Sequence, residues 1–395
     1  MNPDDPIVIC GAARTPIGGF QGDLKDLTAP QLGANAIRAA VERAGLGPDA
    51  IDEVLMGCVL PAGVGQAPAR QAALGAGLKL STGATTVNKV CGSGMKAAML
   101  AHDLLIAGSA RIAVAGGMES MTNAPYLLDR ARAGYRLGHQ RVLDHMFLDG
   151  LEDAYDKGRL MGTFAEKCAS MYSFSRAEQD AYSLESLKRA QKAASDGTFA
   201  AEIVPVTVKE RGVERVVSQD EQPLKARPEK IPLLKPAFDE NGTVTAGNSS
   251  SISDGAAALV LMRRTEAELR GVAANAVIVG HATYSQEPSL FTTAPIGAIR
   301  RLLERTGWTL DEVDLFEISE AFAVVAMAAM RELGLPHSKV NVHGGACALG
   351  HPIGASGARL IVTLLAALEK YGLRRGMATL CIGVGEAVAM AVERE

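Results

Sequence analysis

The stretch NKVCGSGM, residues 88–95, sets Cys91 between a β-branched run ending at Val87 and the glycines Gly92 and Gly94. Glycines at such a turn let backbone approach backbone or ligand closely. A helix beginning there offers unpaired N–H groups and a partial positive charge. A thiol in that field ionises more easily, and the thiolate is the nucleophile. A small buried cysteine at a tight strand–helix turn would leave the same pattern. Possible partners lie far along the chain. His351 stands between Gly350 and Pro352, before a helical pattern, and Cys381 ends the apolar strand of LCIGVGEA, residues 380–387. A reactive cysteine needs a base to take its proton. A second thiol near a histidine can serve as general acid and base in carbon chemistry. Residues 316–323, FEISEAFA, add Ser319. Singly, each has a plain structural reading; as a set they need a fold that gathers them.

That fold is suggested by an internal repeat. Residues 41–54 read VERAGLGPDAIDEV and residues 303–313 read LERTGWTLDEV. A predicted strand follows each, VNKV at 87–90 and VNVH at 340–343, and then a glycine-containing turn. The openings PIVICGAARTP (6–16) and AVIVGHATYSQEP (276–288) also correspond. Three matches in one order imply two duplicated α/β halves. Predicted strands at 7–10, 54–59, 85–90 and 112–117 alternate with helices at 31–43 and 96–107. The second half offers strands AVIVGHA, LFEI, KVNV and TLCIGVG, and helices at 299–306, 321–333 and 357–371. Such alternation implies mostly parallel sheets buried on both faces. Residues 119–248 break the repeat and are richer in charge, Tyr and Pro. Their clearest element is a helix opened by the capping box Ser175–Glu178 and stopped at Asp196-Gly197. The division expected is 1–118 with 249–270 as the first half, 119–248 as an inserted, lid-like loop domain, and 271–395 as the second half. A pseudo-two-fold axis would bring Cys91 together with Ser319, His351 and Cys381.

The 395 residues are 48% hydrophobic, enough for a large core in more than one domain. Forty basic against forty-four acidic side chains, net −4, argue against a nucleic-acid partner. The six cysteines, Cys10, Cys58, Cys91, Cys168, Cys347 and Cys381, form no CxxC pair, so neither a metal site nor a disulfide scaffold is expected. No basic, apolar leader opens the chain, and the longest apolar run, residues 321–330, is too short for a bilayer. A soluble, cytoplasmic protein without a membrane partner is expected.

NKVCGSG, GGMES, GTVTAGNSS, SEAF, GHPIGASGAR and CIGVG occur in the order and spacing of the thiolases, and the chain resembles that family over its whole length. Within it, the sequence is most similar to acetyl-CoA acetyltransferases and 3-ketoacyl-CoA thiolases. The resemblance implies a five-layered αβαβα fold, a homodimer or homotetramer, a place in fatty acid metabolism, and coenzyme A as substrate and product with no other cofactor. It implies that Cys91 takes the acyl group, that His351 receives the thiol proton, and that Cys381 works on the α-carbon of acetyl-CoA. The N–H groups of Cys91 and Gly383 would form an oxyanion hole. Ser319 replaces the family's usual Asn, whose side chain holds a water near the enolate oxygen. Val384 replaces the middle glycine of the usual triplet, where a β-branched side chain disfavours positive φ. Ser250 and the neighbouring backbone would meet the pantetheine arm, Leu160, Met161 and Phe291 would wall the acyl end, and Ala246 and Phe322 would be further substrate-binding residues. Leu160 and Phe291 depart from the His and Met frequent in acetoacetyl-CoA enzymes. Basic residues within 209–235 would meet the phosphates, unless they are only a solvated face. The competing readings are a ketoacyl synthase-like condensing enzyme and a non-catalytic or altered-specificity coenzyme A-binding protein.

Overall fold

The computed structural model describes residues 5–210 and 212–395. The first half holds β1 (Ile7–Arg14), α1 (Ala29–Arg43), β2 (Glu53–Gly57), α2 (Pro68–Gly75), β3 (Gly83–Val87), α3 (Ser93–Ala107) and β4 (Ile112–Ser120). A long excursion carries α4 (Met161–Met171), α5 (Arg176–Ser195) and two small hairpins. The chain returns as β5 (Ser253–Arg263). The second half holds β6 (Ala276–Ser285), α6 (Ala294–Thr306), β7 (Leu315–Ile318), α7 (Ala323–Leu333), α8 (Ile353–Tyr371), β8 (Arg375–Ile382) and β9 (Glu386–Glu393). Helix α5 opens with the capping box expected from sequence: Glu178 N–H donates to Ser175 Oγ, and Ser175 N–H to Glu178 Oε2.

One sheet runs through both halves in the order β7-β8-β9-β6-β1-β5-β4-β2-β3, with Gly18–Gly19 as a tenth strand on β5. The halves join at a narrow seam, Val8 opposite Val277 and Ile9 opposite Ala276. The expectation of a mostly parallel sheet is wrong. β2 is parallel to β3 and β4, and β7 to β8, where helices make the crossovers. The pairs β1–β5, β5–β4, β1–β6, β6–β9 and β8–β9 are antiparallel. A turn as short as residues 383–385, between β8 and β9, permits only an antiparallel pair.

The strand expected at VNVH also fails. Only Val340 bridges β7, at Phe316. Asn341 turns the chain away with φ +49°, and its side-chain amide bonds both the N–H and the C=O of Ile318, each at 2.8 Å. Side-chain hydrogen bonds thus replace a ladder.

Three large cores define the layers. Leu32 and Ile37 of α1 and Ala72 of α2 pack on one outer face. Met95 and Met99 of α3 pack with Leu360 and Leu364 of α8 in the middle. Ile299 and Leu302 of α6 and Val324 of α7 fill the other outer face. The result is five layers, αβαβα, with α3 and α8 buried between the half-sheets. Among the described residues, no helix is long and apolar enough to cross a membrane.

Candidate active site

Strand β3 stops at Val87 and α3 starts at Ser93, so Cys91 sits on a tight turn between them. Asn88 Oδ1 accepts from Val90 N–H at 3.0 Å, and Ser93 Oγ accepts from Lys89 N–H at 2.8 Å while donating to Val90 C=O at 2.6 Å. The Lys89 ammonium reaches Glu386 Oε2 at 2.6 Å and ties the turn to the start of β9. Val90 has φ +46° and Val384 φ +72°. A β-branched residue in that region is strained, and neighbouring structure must hold it there. Both strained residues flank expected catalytic groups, Cys91 and Gly383.

An easily ionised Cys91 is not what the structure provides. Burial pushes its thiol up to about 11, although the N–H groups of Gly383 and of Cys91 itself hydrogen-bond the sulfur and pull the other way. The negative charge of Glu119 adds to the rise. The nearest N–H groups of α3 are also spent: Gly92 N–H donates to Lys89 C=O and Ser93 N–H to Val90 C=O, each at 3.0 Å. Cys91 therefore rests as a thiol and needs a base.

His351 has the form of that base. It precedes α8 and is 6% exposed. Gly350 has φ +106°, and a Cβ there would collide with Ser253 Oγ. Ser356 Oγ donates to Pro352 C=O at 3.0 Å, so it accepts from His351 Nδ1–H at 2.6 Å. That assignment puts the lone pair on Nε2, which is buried without a hydrogen-bond partner. Burial holds the imidazole down to about 4, helped by the charge of Arg359, so it is neutral near pH 7. Cys381, at the end of β8, is buried; its thiol is raised well above its usual range by burial first and by the neighbouring Cys91 charge second. The two thiols thus resist simultaneous ionisation.

These groups share one cavity of about 360 Å³. Cys91, His351, Cys381 and Gly383 line it, together with Leu160, Met161, Ala246, Ser250, Phe291 and Phe322. Of the catalytic and acyl-end residues expected from sequence, Ser319 alone is outside the lining. It is 1% exposed, and its hydroxyl is buried without a partner. Lys209 pairs with Glu214, and Lys225 with Glu221. The sequence did not single out Phe147 and Phe238, which also line the cavity. Both belong to the excursion between β4 and β5, where no periodicity marked them. A Cβ on Gly162 would collide with the Phe238 ring, a close approach that only the glycine permits.

The chain matches known proteins throughout. Residues 7–265 match the family profile "Thiolase, N-terminal domain", and residues 272–394 match "Thiolase, C-terminal domain". The chain belongs to the thiolase family. An acetyl-CoA acetyltransferase of Chromobacterium violaceum is 47% identical over 390 residues, covering 98% of this chain and 99% of that protein. Acetyl-CoA acetyltransferase 1 of Arabidopsis thaliana is 50% identical over 397 residues, covering 100% of this chain and 95% of that protein. The crystal structure of the Bacillus anthracis acetyl-CoA acetyltransferase aligns with TM-score 0.96 at 41% identity over 99% of both chains. The fold is therefore the thiolase fold.

Proposed function

We propose that this protein is an acyl-CoA:acetyl-CoA C-acyltransferase. It condenses two acetyl-CoA to acetoacetyl-CoA, or cleaves 3-ketoacyl-CoA with coenzyme A, through an acyl group on Cys91. The observation that carries this reading is the lining of one cavity by Cys91, His351, Cys381 and Gly383. His351 Nε2 takes the Cys91 proton as the sulfur attacks the thioester carbonyl. The Cys91 and Gly383 N–H groups stabilise the developing oxyanion, a role worth about 3–4 kcal/mol in acyl transfer. Coenzyme A leaves as a thiol with the proton returned by His351. Neutral again, His351 then relieves Cys381 of its proton. The Cys381 thiolate takes an α-proton from a second acetyl-CoA, the enolate carbon attacks the acyl carbonyl, and Cys91 leaves as a thiolate that regains the proton held by His351. Thiolysis is the reverse. Ser319 would hold a water near the enolate oxygen, a use that fits its buried, unpartnered hydroxyl.

Coenzyme A is substrate and product, and the scheme needs no further cofactor. Ser250 and Ala246 would receive the pantetheine arm, and Leu160, Met161, Phe291 and Phe322 the acyl chain. Gly247 packs on Ile231 and Leu234, which brings Lys230 and Lys235 toward the Ser250 side as candidates for the phosphates. The accompanying setting is fatty acid metabolism in the cytoplasm, carried out by a homodimer or homotetramer. Strand β3 supports the oligomer: it is the last strand of the sheet, and its side chains are only partly buried.

Mass spectrometry after mixing with acetyl-CoA tests the reading. One acetyl group should appear on the protein and none on Cys91→Ala. Cys381→Ala should still be acetylated, yet fail to exchange the α-protons of acetyl-CoA with solvent. Acetylation of Cys91→Ala would overturn the assignment.

A further inference from the structure

Helix α3 carries the Cys91 turn at one end. Near its other end, His102 and Asp103 meet His281 of β6, a strand of the other half. None of the three lines the cavity. Three atoms converge there: His281 Nε2 lies 3.0 Å from Asp103 Oδ1 and 3.3 Å from His102 Nδ1, and His102 Nδ1 lies 3.1 Å from Asp103 Oδ1. The imidazole rings stand edge-on at 88°.

Protons leave one edge of this triangle without a hydrogen bond. Each ring nitrogen carries at most one hydrogen, and the carboxylate carries none. If both rings donate to Asp103 Oδ1, the two ring nitrogens stay 3.3 Å apart with no hydrogen bond between them. If one ring donates to the other, the acceptor turns its lone pair to the carboxylate instead of a hydrogen. A cation at the centre turns all three edges attractive, because each atom then offers it a lone pair.

The spacing suits a particular class of cation. Zn–N bonds of about 2.0–2.1 Å in a tetrahedron place ligand atoms about 3.3 Å apart. Two imidazoles and one carboxylate favour a divalent transition ion over magnesium or calcium. The Asp103 side chain is 55% exposed, against 7% for His102 and 14% for His281, so an ion can arrive from solvent and keep a water as fourth ligand. Two positive charges lie near: Lys96 on α3, and Arg305 of α6, whose Nη1 donates to His281 C=O at 2.6 Å.

We propose that His102, Asp103 and His281 bind a divalent transition cation, zinc foremost, which clamps α3 of the first half to β6 of the second. Cysteine spacing had argued against a metal site, and this one uses no cysteine.

The test is calorimetric titration of chelator-treated protein with zinc chloride, beside thermal unfolding, for the unaltered chain, His281→Gln and Asp103→Asn. Zinc can also meet thiols, so the difference between proteins is the readout. The unaltered chain should show one site that weakens at least tenfold in each variant. Its Tm should rise by about 3 °C at a hundredfold excess over Kd, a shift absent from the variants. Cys91 acetylation without metal should be equal in all three. Identical titrations in the three proteins, or no zinc-dependent Tm shift in the unaltered chain, would overturn the proposal. Should His281→Gln not fold, Asp103→Asn at its exposed helical position decides alone.

Discussion

Burial acts on Cys91 and His351 in opposite directions, raising the pKa of the acid and lowering that of the base, and leaves both neutral. An ion pair formed before substrate arrives would require the reverse. On the proposed mechanism the proton moves as the sulfur attacks, beside the Gly383 N–H that already favours the charged sulfur. This resting state has a pH signature. Alkylation of Cys91 by iodoacetamide uses the thiolate without help from a base. Its rate should climb about tenfold per pH unit toward about 11, with no plateau between pH 6 and 9. Acetylation by acetyl-CoA, on the proposed mechanism, uses His351 as base. It should hold across neutral pH and fall only as His351 becomes protonated, toward about pH 4. Rapid-quench rates with the two reagents over one pH series check both. An alkylation plateau at neutral pH would mean a preformed ion pair.

The cysteine and histidine meet because α3 and α8 cross closely at their N-terminal turns. A Cβ on Gly94 would lie 2.9 Å from Ala358 N and 3.0 Å from Gly354 O. Gly94→Ala sets two effects against each other. Helix propensity gains about 1 kcal/mol. The clash is with backbone, which cannot move aside as a flexible side chain can, and overpacking costs about 1–3 kcal/mol. The clash should win, with a net loss of about 1 kcal/mol in denaturant unfolding and at least a tenfold fall in the Cys91 acetylation rate as the two helix ends part. Unchanged acetylation would mean that the crossing does not set the site. The sequence made this arrangement partly legible. Its repeat showed corresponding strands and helices, and turn glycines marked Cys91 and His351. It did not show that β1 and β6 fuse the half-sheets through two residue pairs, because pairing partners leave no local period. Nor did it show Asn341 ending a strand at one residue, since a side-chain amide serving backbone groups depends on a distant partner, Ile318. Phe147 and Phe238 were hidden for a similar reason: their burial is decided by the cavity and not by their own elements.

At the scale of the molecule, the cavity wall depends on the excursion between β4 and β5, which supplies Leu160, Met161 and Phe238. One buried network fastens that segment to the first half. Arg14, at the end of β1 and 0% exposed, bonds Asp220 through Nη1 at 2.7 Å and Nη2 at 2.8 Å, and Glu202 through Nε at 2.9 Å. Backbone bonds run alongside, from Arg14 N–H to Glu202 C=O and from Val204 N–H to Arg14 C=O. The network's worth lies in its completeness. Two buried carboxylates without their cation are costly, whereas an uncharged replacement of the whole set can be nearly neutral. Arg14→Met should therefore lose about 3–5 kcal/mol of stability in chemical denaturation. It should also expose the excursion to limited proteolysis before the sheet is cut, and raise KM for acyl-CoA as the cavity wall loosens. Adding Glu202→Gln and Asp220→Asn to the same variant should recover at least half of the lost stability, because the uncompensated charges are then gone. If the triple variant is no more stable than Arg14→Met, the arginine acts by filling space beside Phe199, over whose ring it lies at 5.0 Å, and not by its charge.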